Sequence, residues 1–377
     1  MTRRPVVAVA MSGGVDSSVA AALCVQAGYE VVGIMLRLWY EAGATGANKC
    51  CTVGAIDDAR RVAAILDIPF SVLDIEDLFH EVIVEPFLAQ VLDGDTPNPC
   101  LSCNRRVRFG HLLNQARALG ADYLATGHYA QVKQDADGVH WLHRGADRDK
   151  DQSYVLHRLD QAQLAQAMFP VGGYTKPEVR RLAEGFGLPV ASRADSMDLC
   201  WIGPGGMRGF LERNLPAGAA VPGPIVDTGG RVLGEHQGLP FYTRGQRRGL
   251  GVATGDAVYV VGKDVAANAL VVGPSIALDA RHISVRAMHW SSGQVPGGLD
   301  GSEGPEDPNP LRITAQIRYR AADAPAWLTP ALDASGRPAA AVVFDAPQRA
   351  PTAGQALVVY DGDRVLGGGL IAAEGGW

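Results

Sequence analysis

The sequence predicts an α/β protein in three parts: a domain on a parallel sheet (1–205), a small β-rich central domain (206–275) and a C-terminal β-barrel (276–377). Three observations carry this expectation. Up to about residue 130, short β-branched runs alternate with amphipathic segments. From about residue 205, Gly, Pro and short valine-rich runs replace the helical period. The last part of the chain holds evenly spaced strands separated by turn signals.

The elements follow in order. "VVAVAM" reads as a buried first strand; it is too short and lacks the cleavage pattern of a signal peptide. "VDSSVAAALCVQAGY" is the first helix, followed by the strand "EVVGIMLRLW", the helix "AIDDARRVAAILDI", the strand "FSVLDI" and the strand "DYLATGHY". In such a βαβα sheet, ligands sit beyond the carboxyl ends of the strands. "GPIVDTGGRVLGEHQG" and "AVYVVGKDVAANALVVG" supply the central strands. "ISVRAMHW", "LRITAQIRYR", "AAAVVFDAP" and "GQALVVYDGDRVLGGGLI", with its Asp361-Gly362 turn, supply a closed or nearly closed barrel. "SSGQVPGGLDGSEGPEDPNP" is too poor in apolar residues to order itself and is expected to be a mobile loop. There is no internal repeat.

Composition narrows the function. No apolar stretch reaches the roughly 18–20 residues of a membrane helix, so no membrane partner and a cytoplasmic location are expected. In that compartment the six cysteines are not a structural disulfide framework, which favours catalytic or metal-binding thiols. A net charge of -6 excludes a protein that coats nucleic acid indiscriminately, but leaves room for basic patches facing one RNA.

The strongest local motif is "AMSGGVDSS", between the first strand and the first helix. Ser12, Gly13 and Gly14 let backbone N–H groups close on an anion, Asp16 offers a Mg²⁺ contact and Ser17 a hydroxyl donor. A Gly-rich turn capped by Ser and Asp is the purely structural alternative. The stretch lacks the ending of a Walker A loop. It resembles the SGGxDS loop of the PP-loop ATP pyrophosphatases, which cleave ATP to AMP and pyrophosphate.

The second motif is "TPNPCLSCNRRVRFG". Arg105, Arg106 and Arg108 surround Cys103 with positive charge, which favours thiolate. Cys100 and Cys103 are only half a zinc site, and no second C-x-x-C exists. Metal clip, redox couple and lone nucleophile all remain open from spacing alone. Cys200, in "DSMDLCWIG", is a distant third thiol.

Taken together, "SGGVDSS", "NKCCTVGAIDDARRVA", "TPNPxxxCN", "LATGHYAQV", "KDQSYVL", "DSMDLCWIG", "YTRGQRRGLGV", "YVVGKD", "IRYR" and "APQRAPTAGQALVVYDGDRVLGGGLI" occur in the order found in the bacterial tRNA-specific 2-thiouridylases, from residue 6 to about 372. The resemblance implies a Rossmann-like PP-loop (HUP) domain and use of ATP with Mg²⁺. It implies that Ala10, Met11, Ser12, Gly13, Gly14, Val15, Asp16, Ser17, Met35 and Gly127 bind ATP. Cys103 would be the nucleophile and Cys200 the persulfide carrier, pairing as a disulfide during turnover. Asn98, Pro99 and Cys100 would face the target base, and His128, Lys150, Asp151, Gln152, Arg318, Tyr319 and Gln348 would contact tRNA. The wobble uridine of tRNAs for Lys, Glu and Gln is the implied target, and a cysteine desulfurase or relay protein the implied sulfur donor.

Position 100 is commonly Asp in the family and is Cys here. Two readings of Cys100 follow: a ligand, with Cys103 and Cys200, of a [4Fe-4S] cluster with one open iron, or an auxiliary thiol in a cluster-free mechanism, which is the preferred reading. Arg244, Arg247, Arg248 and Arg320 are further phosphate contacts, or ordinary surface arginines. Cys24 reads as core packing. Cys50 and Cys51 have no derivable role, while Asp195 and Asp198 would oppose a Cys200 thiolate. His128 is alternatively a turn hydrogen bond. Two other readings compete: another PP-loop pyrophosphatase, and a non-enzymatic RNA-binding protein with a Cys100/Cys103 metal clip.

Overall fold

The computed structural model describes residues 3–41, 53–193, 199–203, 205–295 and 310–373. Its first sheet contains Val6–Ala10 (β1), Glu30–Arg37 (β2), Phe70–Asp74 (β3) and Tyr123–Ala125 (β4). After the antiparallel hairpin of Ala130–Gln134 (β5) and His140–Arg144 (β6), Ala167–Met168 (β7) completes it. All its pairings are parallel, in the order β3-β2-β1-β4-β7. Val7 and Val9 point to one core and Ala8 to another, as the period of two requires in a sheet covered on both faces. The helix Val15–Gln26 presents Val15, Val19 and a run of small alanines, and their size lets it pack closely against the helix Lys176–Gly185.

The central sheet has the order β10-β11-β8-β9, from Gly223–Asp227 (β8), Val232–His236 (β9), Tyr259–Asp264 (β10) and Ala269–Gly273 (β11). Its small core gathers Ile225, Leu239, Tyr242, Val260, Leu270 and Val272.

The barrel comprises Asp279–Trp290 (β12), Leu311–Gln316 (β13), Ala324–Leu332 (β14), Pro338–Arg349 (β15), Ala356–Asp361 (β16) and Arg364–Ile371 (β17). The order β12-β15-β14-β13-β16-β17 closes through β12 and β17, with Val285 opposite Ile371 and Trp290 opposite Gly367. In β12 the inward parity shifts from Ile283 and Val285 to Met288 and Trp290. The shift occurs at Ala287, whose φ of 51° marks an irregularity that adds a residue and restores the apolar face to the interior. The expected loop of residues 291–310 falls mostly outside the described residues.

Strand β16 joins the domains. Leu357 and Val359 fill the barrel, while Ala356, Val358 and Tyr360 pack with Leu112, Tyr154, Leu156 and Phe169 of the first domain. That is why "ALVVY" is an unbroken apolar run where a barrel strand facing water would alternate. The hairpin β5–β6 also pairs with β17, opposite Arg364. The segment before Asn98 is pinned to the barrel by Thr96 N–H on Ala353 O (2.9 Å) and by Arg286 on Asp95 (2.6 Å).

Candidate active site

The loop after β1 is held by its own hydroxyls. Ser17 Oγ accepts from Ser12 N–H at 3.1 Å and donates to Gly14 O at 3.2 Å, and Ser18 Oγ donates to Gly14 O at 2.8 Å. Gly13 takes φ +71°, with the Ala55 carbonyl where a Cβ would stand. At Gly127 a Cβ would lie 2.6 Å from Ser17 N, so only glycine lets the turn after β4 approach the start of the helix. Met11, Val15 and Met35 are buried in one core, and Ala10 packs against the other.

Three residues that the sequence did not single out complete this region. Lys176 Nζ donates to both Asp16 oxygens, at 2.7 and 2.8 Å, and Tyr129 OH donates to Asp16 Oδ1 at 2.7 Å. Arg193 donates to Gly13 O at 2.8 Å and pairs with Asp58. Asp16, expected as a Mg²⁺ contact, is therefore already neutralised by a lysine. A capping box at Thr175 could have located the start of the lysine's helix, but nothing in the spacing pointed Lys176 at Asp16.

The cysteine segment forms a helix because Asn98 caps it, accepting from Cys100 N–H at 3.1 Å, and because Pro99 occupies its first turn. Pro99–Ser102 runs directly into Cys103–Leu112, which is wound as a π-helix, and then into Leu113–Ala118. Such wide turns are rare and gather at functional sites. Asn104, buried, fixes this one by donating to Val155 O (3.0 Å) while accepting from Arg108 (2.7 Å).

Cys103 is buried among Leu38, Phe79, Phe87, Val107, Trp201 and Phe210, and Cys200 packs against the same cluster. Two thiols almost a hundred residues apart thus share one apolar core. Cys100 packs instead against the cluster of Leu101, Phe109 and Tyr154. Burial pushes its thiol up to about 11, the Cys103 thiol adds to the rise, and Arg108 opposes it.

This arrangement corrects the cluster reading of Cys100, Cys103 and Cys200. Cys100 packs on a different core from Cys103 and Cys200, and no three His, Cys, Asp or Glu residues among the described ones are grouped to hold a metal. No disulfide links Cys24, Cys100, Cys103 or Cys200 in this structure, so the disulfide expected during turnover is not formed here. Burial pushes Cys24 up to about 12, as befits core packing. Cys50, Cys51, Asp195 and Asp198 lie outside the described residues.

The expected RNA contacts divide into two kinds. Asp151 is buried and accepts from Arg144 (3.1 Å), Gly145 N–H (3.0 Å) and Ser153 Oγ (2.8 Å), and Gln152 Oε1 accepts from Tyr129 N–H (3.0 Å). Both side chains are committed within the protein, while Lys150 is half-buried beside them. Arg318 and Arg320 are exposed; Arg320 stacks on Tyr319, whose ring centroid lies 6.1 Å from that of Tyr154. Gln348 is half-buried and donates to Ala346 O at 3.0 Å. His128 shares a 2.7 Å hydrogen bond with Thr126 Oγ1. Burial first, then Arg108, push the imidazole down to about 3 and keep it neutral.

Family models for a tRNA methyl transferase HUP domain, a tRNA methyl transferase PRC-barrel domain and an aminomethyltransferase beta-barrel domain match residues 5–204, 208–274 and 280–371. The tRNA-specific 2-thiouridylase of Moorella thermoacetica is 50% identical over 96% of this chain and 98% of its own. The chain belongs to the tRNA-specific 2-thiouridylase family. Another relative of that name, from Heliobacterium modesticaldum, is 47% identical over 97% of this chain and 92% of its own. A solved 4-thiouridine synthetase–RNA complex with bound ATP is 16% identical over 55% of this chain and 49% of that one, with a TM-score of 0.36. Membership makes the chain a nucleotide-binding tRNA sulfurtransferase. No helix among the described residues is long and apolar enough to cross a membrane.

Proposed function

We propose that this protein thiolates C2 of the wobble uridine in tRNAs for Lys, Glu and Gln, consuming ATP and releasing AMP and pyrophosphate. Its working units would be 1–205 for catalysis, 206–275 as a connector and 276–377 for tRNA. The observation that carries the proposal is the convergence of Cys103 and Cys200 on one cluster in the domain that carries the Ser12–Ser17 loop.

In this reading the uridine O2 attacks the α-phosphorus of ATP and pyrophosphate leaves. Backbone N–H groups of the loop, with Arg193 and Lys176 nearby, balance the charge that builds on it. Mg²⁺ would accompany the phosphates, which supply most of its oxygen ligands. An external donor first loads Cys200 as a persulfide. The Cys103 thiolate then attacks the inner sulfur, releasing sulfide to C2 with loss of AMP. A Cys103–Cys200 disulfide remains and requires an external two-electron reductant. Cys100, held as a neutral thiol, stands at the base-facing position with Asn98 and Pro99. Single-stranded anticodon bases are the RNA elements such a pocket can receive. Lys150, His128, Arg318, Tyr319 and Gln348 would contact the tRNA, with Asp151 and Gln152 shaping that surface from inside.

Incubation with ATP, Mg²⁺, a protein persulfide donor, a reductant and unmodified tRNA tests the proposal. Equimolar AMP and 2-thiouridine are expected, with Cys103→Ser and Cys200→Ser both inactive yet binding tRNA. Substantial protein-borne sulfur transfer by Cys200→Ser would overturn the persulfide assignment.

A further inference from the structure

About half of the arginines on this acidic chain are paired with carboxylates. Arg3 pairs with Asp122, Arg213 with Glu41, Arg231 with Asp227, Arg312 with Asp345 and Arg337 with Asp333. Arg105, Arg106 and Arg158 belong to the other half: among the described residues no carboxylate pairs with any of them.

The fold nonetheless brings them together. Asn104 donates to Val155 O at 3.0 Å, and Gln163 donates to Arg105 O at 3.0 Å and to Phe109 O at 2.9 Å. These bonds pin the backbone around Arg105 and Arg106 to the turn that carries Arg158. The three cations feel one another: burial first, then Arg105 and Arg106, hold the Arg158 guanidinium below its usual range. Its Nε is buried and has no hydrogen-bond partner. His289, whose Nε2 lies 3.0 Å from Leu159 O, sits within the same field. The carboxylate that acts on His289 is Asp160, and it is engaged in capping the helix Gln161–Leu164.

Arg158 also lines a cavity of about 230 Å³ together with Phe87, Asn98, Pro99, Ser102 and Arg286. The cationic group therefore adjoins the segment that leads into Cys103. Concentrating like charge in a partly desolvated site is unfavourable unless a polyanion completes it.

We infer that Arg105, Arg106 and Arg158 form a binding site for RNA backbone phosphates, one that fixes the strand beside the target nucleotide. The inference rests on the tRNA-thiolation reading. It adds a phosphate site to the contacts expected from His128 and Lys150 of the first domain and from Arg318, Tyr319 and Gln348 of the barrel. The phosphates belong to RNA rather than to ATP, because this site is built on the 99–118 helix and the 153–158 turn, not on the Ser12–Ser17 loop.

Arg106→Glu, which alters an exposed side chain, and Arg158→Gln test it. Arg231→Ala, which removes an already paired arginine, is the control for net charge. Binding of unmodified tRNA is measured across a salt series alongside the KM for ATP. Each variant should raise the tRNA Kd about tenfold and lower the slope of log K against log salt by about 1, leaving the ATP KM unchanged. Wild-type tRNA affinity and slope in both variants would overturn the site while leaving the thiolation reading intact. A raised ATP KM with unchanged tRNA binding would assign the cations to the nucleotide instead. Loss of transfer only from a protein sulfur donor would make the patch a protein-docking surface and overturn the inference. If the wild-type protein itself neither binds nor thiolates tRNA, the functional reading fails first.

Discussion

Lys176 donates to both carboxylate oxygens of Asp16, which locks the helix after β7 onto the loop after β1. The lysine is 9% exposed and the aspartate 32%, so the pair lies at the edge of the interior. Lys176→Met should cost about 2 kcal/mol of stability, less than a fully buried pair because water still reaches Asp16. It should also lower kcat/KM for ATP at least about tenfold while tRNA affinity holds, since electrostatic support of the phosphates is what is lost. Steady-state kinetics with ATP varied, beside a denaturant melt, decide the matter; unchanged ATP kinetics would make the lysine purely structural.

Cys100 should behave as an unreactive thiol. Its titration is pushed up to about 11, so little thiolate exists at neutral pH. Mass-spectrometric mapping after iodoacetamide should find Cys100 alkylated slowly until the pH passes about 10. Rapid labelling at pH 7 in the native protein contradicts this.

Acid stability should depend on two neutral imidazoles. His128 and His157 are both pushed down to about 3, mainly by burial, from an ordinary value of 6.5. Between those limits the unfolded chain holds protons that the folded chain lacks. Stability therefore rises with pH through this window and is lost as pH falls from about 6.5 towards about 3. Each histidine contributes a slope of at most about 1.4 kcal/mol per pH unit. His128→Asn should flatten the acid limb of chemical denaturation by about that amount, and an unaltered limb would show that His128 is not held neutral.

Arg144 should matter for stability more than any surface arginine. It pairs with buried Asp151 at 3.1 Å and with Asp323 at 2.6 Å, and its guanidinium lies 3.5 Å from the centre of the Tyr360 ring. Arg144→Met strands the Asp151 charge and should cost about 3–5 kcal/mol. Asp323→Asn, at a partly exposed position, should cost about 1 kcal/mol or less. Equal effects in urea melts would refute this ranking.

Much of the architecture was readable because its periodicities are strong. The parallel sheet followed from alternating apolar runs, and the barrel from evenly spaced strands. What escaped depended on partners remote in sequence. The pairing of Lys176 with Asp16 spans 160 residues, and nothing local signals it. The π-helical winding of Cys103–Leu112 is likewise a tertiary outcome, secured by Asn104 reaching Val155 O. Spacing put Cys100 and Cys103 together, yet their helix turns them towards different cores. For Asp151 and Gln152, which the resemblance implies as tRNA contacts, the internal hydrogen bonds could not be read from the sequence.

The two-faced burial of β16 also has a consequence for biosynthesis. The first-domain surface formed by Leu112, Tyr154 and Phe169 is covered by Val358 and Tyr360, which are translated near the end of the chain. At roughly 5–20 residues per second, about 10–40 s pass between synthesis of Phe169 and of the last barrel strand. Through that interval the nascent first domain presents an uncovered apolar face. A fragment truncated near residue 205 should therefore be sticky rather than soluble.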